Sequence, residues 1–230
     1  MSAVLVPAII PASQHAIEAF VAALPGVTEI HVDVVDGNFV PTTSWPYLPT
    51  GDPSLVASTL APVTLEVDLM VKEPLSAAEA WLAAGADMLV FHVESISLHD
   101  FIYMVTISNA TIGIAANNDT PFATLAPYLE LTDYVQVMGI REIGKQGQSL
   151  DERVFARVEQ IKALAPQVLI SIDGSVNETT LPTLLATKAE RYIVGSAVYG
   201  ADDPLAAYQR LLTLISTQGD HGEEGPVGIL

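Results

Sequence analysis

The sequence has no cysteine among its 230 residues. Disulfides, thiolate metal sites and cysteine nucleophiles are therefore excluded together. Positive charge is scarce: nine Lys and Arg stand against 27 Asp and Glu, a formal net charge of −18. That balance excludes a general basic field able to hold nucleic acid or an anionic membrane surface. Only 16% of the chain is charged and half is hydrophobic, which supports a dry core and argues against disorder. The uncharged stretch at 101–118 carries Thr106, Ser108, Asn109 and Thr111 in its middle. It reads as a helix end running into a buried strand, not as a membrane span. No Lys or Arg precedes the first apolar run, and Pro7 and Pro11 interrupt it, so no signal peptide is read. A cytoplasmic protein is expected, with a homo-oligomer left open.

Short β-branched runs alternate with helix-like segments. Strands are expected at 4–10, 29–34, 64–70, 88–92, 111–115, 134–138, 168–173 and 192–195. Most are apolar without alternation, as when both faces of a parallel sheet are covered. Helices are expected at 16–24, 77–84, 121–129, 151–164 and 204–215, with another through Leu185. Their apolar residues recur at spacings of three and four. Thr120 is positioned to cap the segment that starts at Pro121, and Gly85 to end the one before it. Strand–helix units in this number predict a single α/β domain, a (β/α)₈ TIM barrel over 1–217, followed by a loose tail at 218–230. An open doubly wound sheet is the alternative.

In a barrel, chemistry gathers at the C-terminal ends of the strands. His31 and Asp33 are two apart and share a strand face, as do Asp68 and Met70. The fourth strand ends in His92 and Glu94, the seventh in Asp173. A buried unpaired carboxylate is costly, so a metal, a hydrogen-bond network or a water-filled pocket must compensate these groups. Asp36, just before Gly37, reads as a turn residue. A second cluster follows the last strands: Gly147, then Gly174 and Ser175, then Gly195 and Ser196. Paired small residues there fit a phosphate site, with Lys145 nearby.

These residues fall into recognisable blocks. Residues 31–41, His-Val-Asp-Val-Val-Asp-Gly-Asn-Phe-Val-Pro, resemble the signature of the ribulose-phosphate 3-epimerase family. So do Glu-Val-Asp-Leu-Met-Val-Lys-Glu-Pro at 66–74, His92-Val-Glu94, Asn117 with Thr120-Pro121, Val137-Met138, Gly147-Gln148, Ile172-Asp-Gly-Ser175 and Gly195-Ser-Ala197. The resemblance spans roughly residues 4–215. It implies a ribulose-phosphate-binding barrel of the pentose phosphate pathway that interconverts D-ribulose 5-phosphate and D-xylulose 5-phosphate. It also implies one divalent metal (Mn, Fe, Zn or Mg), held by two His and two Asp, with the two Asp shuttling protons. Carried over, Asp33 and Asp173 are the catalytic, metal-bound acids and His31 one metal ligand.

Several positions depart from the family pattern. The second ligand histidine is Asp68, so the expected set becomes His31, Asp33, Asp68 and Asp173. A substrate-side serine is Pro11, a methionine is Val35, and a glycine is Ser175. The loop Arg141–Gln148 is one residue longer than its counterpart. Inverting a carbon beside a carbonyl needs an acid–base pair and an electrophile, and Met70 and Met138 would line a dry pocket around them. Without a metal, the three carboxylates should crowd, and at least one should take up a proton. The expected partner is a small phosphosugar. Another phosphosugar substrate, or a non-catalytic phosphosugar-binding barrel, remains the alternative.

Overall fold

The computed structural model describes residues 3–60 and 62–219. Eight parallel strands follow one another around a closed barrel. They are β1 (Val4–Ile9), β2 (Glu29–Val35), β3 (Thr64–Met70), β4 (Met88–His92), β5 (Thr111–Ala116), β6 (Tyr134–Met138), β7 (Leu169–Asp173) and β8 (Arg191–Val194). The helices between and after them are α1 (Gln14–Ala22), α2 (Ser54–Leu60), α3 (Pro74–Ala83), α4 (Leu98–Ile107), α5 (Phe122–Leu125), α6 (Arg153–Leu164), α7 (Leu181–Leu185), α8 (Ser196–Tyr199) and α9 (Pro204–Gly219). Each strand lies where the β-branched runs place it, within a residue or two. The barrel is closed, so the open sheet is excluded. Most of the expected C-terminal tail falls outside the described residues.

The period-2 geometry of a strand sorts side chains between two cores. Outward residues such as Val67 and Leu69 of β3 join a large apolar shell under the helices. That shell takes Val154, Val158 and Ile161 from the inner face of α6 and Trp81 from α3. Each fully buried aliphatic side chain there contributes about 1.5–3 kcal/mol of transfer free energy. The lumen is different. Its apolar residues form two small clusters, one of Val6, Ala8 and Ile193, the other including Val35, Met70, Val90, Tyr134 and Met138. Buried among them are His31, Glu66, Asp68, His92, Gln136, Ser171 and Arg191. Branched aliphatics usually fill a barrel of this kind, so this lumen is unusually polar.

Local chemistry sets the ends of the elements. Ser13 caps α1 by accepting from the Ala16 amide, and Ser97 caps α4 by accepting from the Asp100 amide. Gly85 follows α3 at φ +89°, as a C-terminal glycine should. Thr120 does not cap α5. Its hydroxyl is drawn instead to the Glu94 carboxylate, and Pro121 takes the cap position. The loop after β2 is packed down: Trp45 is buried and meets Trp81 edge to face, with ring centroids 5.9 Å apart.

Candidate active site

The mouth of the barrel brings together four residues from three strands. His31 and Asp33 lie on β2, Asp68 lies on β3 and Asp173 ends β7. Strand register sets Asp33 beside Asp68 and Met138 beside Asp173. One donor atom from each of the four lies within 4.8 Å of all the others, close enough to hold a metal ion. His31, Asp33 and Asp68 are buried and Asp173 is half-buried.

A supporting layer holds these groups from below. His31 Nδ1 lies 2.8 Å from Glu66 Oε2, and its Nε2 lies 3.2 Å from Asp33 Oδ1. Arg191 donates to both oxygens of Glu66 at 2.9 Å and also reaches Glu29. The guanidinium sits 5.3 Å from the centre of the Tyr134 ring. Gly113 makes room for that ring, since a Cβ there would collide with it. Asp68 is held from two further strands. His92 Nε2 is 3.0 Å from its Oδ1, and Gln136 Nε2 donates to its Oδ2 at 2.8 Å.

The charges respond to this crowding. Burial, together with Asp33, drives the Asp173 carboxyl well above the ordinary Asp range. Burial also raises Asp33, with the bond from His31 partly offsetting it. Burial opposes the charged form of His31, but Glu66 and Asp33 raise it well above the ordinary imidazole value. Burial opposes the charged form of His92 too, and Asp68 overcomes it, so that this imidazole is also raised. Burial likewise works against an ionised Glu66, yet His31 and Arg191 hold it far below the carboxylate range.

Above the cluster lies a partly open cleft. Asp33, Met70, Met138 and Asp173 line it together with Gly147, Gly174, Ser175, Gly195 and Ser196. Ser175 adopts φ +58°, a left-handed conformation that favours glycine. A Cβ on Gly139 would collide with the Gly174 carbonyl oxygen, so backbone packs on backbone beside the cleft. The long loop at 141–148 is braced by Gln148, whose side chain accepts from the Glu142 amide and donates to the Lys145 carbonyl. Thr42 ties it to the β2 loop through the Gly144 carbonyl at 2.8 Å. Lys145 also lines the cleft and lies 3.6 Å from Glu142. Asp36 is a turn residue, accepting from the amides of Asn38, Phe39 and Lys72.

Nine of the eleven expected site residues line this cleft, whereas His31 and Asp68 are fully buried and meet it only through the cluster. Glu66, Arg191, Gln136 and Tyr134 join them without having been singled out by the sequence. Glu66 and Gln136 carry a signal in the alternation, each two places from an expected site residue on the same strand. Arg191 escapes the apolar pattern because the last strand begins one residue earlier than that pattern suggests.

A closed parallel barrel with an acid–imidazole cluster and a glycine-walled cleft at its C-terminal mouth has the architecture of a β/α-barrel enzyme. Solved structures agree on the fold. KGPDC from Streptococcus mutans superimposes with a TM-score of 0.74 at 12% identity, covering 94% of this chain and 98% of that one. A 3-hexulose-6-phosphate synthase aligns with a TM-score of 0.69 at 21% identity, covering 93% and 99%. The model of the ribulose-phosphate 3-epimerase family matches residues 4–199. The ribulose-phosphate 3-epimerase of Bacillus subtilis (strain 168) is 33% identical over 187 residues, 77% of this chain and 82% of its own. That of Mycobacterium tuberculosis (strain ATCC 25618 / H37Rv) is 32% identical over 217 residues, 90% of each. The chain belongs to the ribulose-phosphate 3-epimerase family.

Proposed function

We propose that this protein epimerises carbon 3 of D-ribulose 5-phosphate to give D-xylulose 5-phosphate, with Asp33 and Asp173 as the two proton-transfer groups. The observation that carries this reading is the convergence of two carboxylates, from β2 and β7, on one cleft that glycine and serine also line. Inversion beside a carbonyl removes a proton on one face and returns one on the other. It therefore needs two positioned acid–base groups. Family membership supports the same substrate.

The donor set fits a divalent cation. Three carboxylates and an imidazole converge, and burial with mutual repulsion has pushed two of the carboxyls upward, as expected where anionic groups await a positive charge. His31, Asp33, Asp68 and Asp173 would hold the ion. When bound, it would polarise the carbonyl side of the substrate and stabilise negative charge developing there. With three oxygen-donor residues and one nitrogen donor, the set favours Mn²⁺ or Mg²⁺ over Zn²⁺ relative to a two-histidine set.

The protein's own groups do the rest. Glu66, gripped by Arg191, fixes the His31 ring so that Nε2 faces the cluster. Asp33 takes the carbon-3 proton from one face and Asp173 delivers one to the other, the roles reversing in the return direction. Met70 and Met138 bring apolar surface to the cleft that the two carboxylates line, which strengthens the electrostatics of the charged groups. The phosphate rests among Gly147, Gly174, Ser175, Gly195 and Ser196. Those positions leave backbone accessible, with the serine hydroxyls as added donors.

A coupled assay on metal-stripped protein reloaded with Mn²⁺, Mg²⁺, Fe²⁺ or Zn²⁺ tests this reading. Turnover should require metal, and Asp33→Asn or Asp173→Asn should each lower kcat by about 10²–10⁴-fold. Folded protein that binds the phosphosugar but turns over with no metal would overturn it.

A further inference from the structure

We propose that Gln136 is a positioning residue for Asp68, and that Gln136, His92 and Asp68 form one unit fitted to an acid at this corner of the cluster. The inference rests on the reading that the cluster holds a divalent cation.

Gln136 is the central residue of β6, and its neighbours Val135 and Val137 face the outer apolar shell. Its own side chain points into the lumen and is 1% exposed. An amide in such a place is costly unless it is hydrogen-bonded. Its Nε2 donates to Asp68 Oδ2 at 2.8 Å while its Oε1 has no hydrogen-bond partner, and His92 Nε2 lies 3.0 Å from Asp68 Oδ1. The carboxylate is therefore held at both oxygens, from β6 on one side and β4 on the other.

That grip answers a specific problem. Asp68 Oδ2 lies 4.0 Å from His31 Nε2 and faces Asp33 and Asp173 within the same small volume. A short carboxylate left unrestrained there would swing away from the other two acids. An apolar residue at 136 would leave Oδ2 without a donor. A lysine would supply a competing cation. The amide orients the oxygen and adds no charge, and each carboxylate oxygen keeps a second lone pair for a ligand. A carboxylate at 68 meets both Gln136 and His92, one on each oxygen, whereas an imidazole with one nitrogen turned to a metal keeps a single N–H and could pair with only one of them, so the two-sided grip suits aspartate.

A double-substitution cycle tests the coupling. Mn²⁺ affinity is measured by calorimetry on metal-stripped wild type, Gln136→Met, Asp68→His and the double variant. Zn²⁺ affinity is measured by chelator competition, and circular dichroism follows folding. Gln136→Met should weaken Mn²⁺ binding by about 10–100-fold, the usual cost of losing a group that orients a metal ligand. It should also lower the Mn²⁺-to-Zn²⁺ preference. In the Asp68→His background the same change should cost about 2–100-fold less, the departure from additivity shown by residues in direct contact. Equal losses in both backgrounds, or none with Asp68 present, would overturn the proposal. If Gln136→Met does not fold, Gln136→Asn withdraws the amide by one methylene and is read by the same criteria. Wild type that binds Mn²⁺ without this coupling overturns the proposal alone. Wild type that binds no Mn²⁺ overturns it together with the metal reading.

Discussion

Arg191 grips Glu66 with both ends of its guanidinium, at 2.9 Å each, and Glu66 in turn contacts His31 at 2.8 Å. The last strand of the barrel thereby reaches across the lumen to orient a residue of the second. Glu66 has no exposed surface, so its charge depends on this partner. Arg191→Met should therefore destabilise the fold by about 3–5 kcal/mol, the usual cost of stranding one member of a buried ion pair. Adding Glu66→Gln to that variant should recover part of the loss. Urea denaturation measures both. A loss under about 1 kcal/mol for Arg191→Met would mean that the pair is dispensable.

The metal-free protein should grow more stable as pH falls from about 8 to about 5. Asp33 and Asp173 are raised above their unfolded values, so protonating them favours the folded state through this window. His31 and His92 are raised as well, and their contribution is fully present below the ordinary histidine value and lost as pH rises through the folded one. All four groups act in the same direction. Below about pH 4.5 the trend should reverse, because Glu66, Asp36 and Asp151 are held below their ordinary values and lose their stabilising charge there. Melting temperatures across this range check the curve, and Asp173→Asn should flatten its upper limb. A metal-free protein equally stable at pH 8 and pH 5 would contradict the crowded-carboxylate account.

Gly113 and Tyr134 should behave as a matched pair. Gly113→Ala drives a carbon into the ring, and overpacking of this kind costs about 1–3 kcal/mol. In a Tyr134→Leu background the same substitution should cost much less. Chemical denaturation of the four proteins measures the coupling, and an equal cost in both backgrounds would place the constraint elsewhere.

The barrel is legible in the sequence because both faces of its strands are covered, so β-branched runs such as Tyr134–Met138 stand out from the helices around them. α2 and α8 are not: seven and four residues are too few to display a helical period. The four-residue cluster is legible from polar groups interrupting apolar strands and from the family blocks. Its support is not. Glu66 and Gln136 occupy ordinary inward positions, and only the closed lumen brings them to His31, Asp68 and Arg191. The glycine seat at Ser175 is marked by the family pattern, but its left-handed backbone shows only in the structure.

The most direct test of the proposed chemistry is turnover of D-ribulose 5-phosphate in D₂O by metal-loaded protein, followed by NMR at carbon 3. A two-base inversion predicts D-xylulose 5-phosphate carrying one solvent deuterium at carbon 3, with both conversion and exchange lost in Asp173→Asn. Conversion without solvent label, or full activity in that variant, would contradict the assignment of Asp33 and Asp173 as the proton-transfer pair.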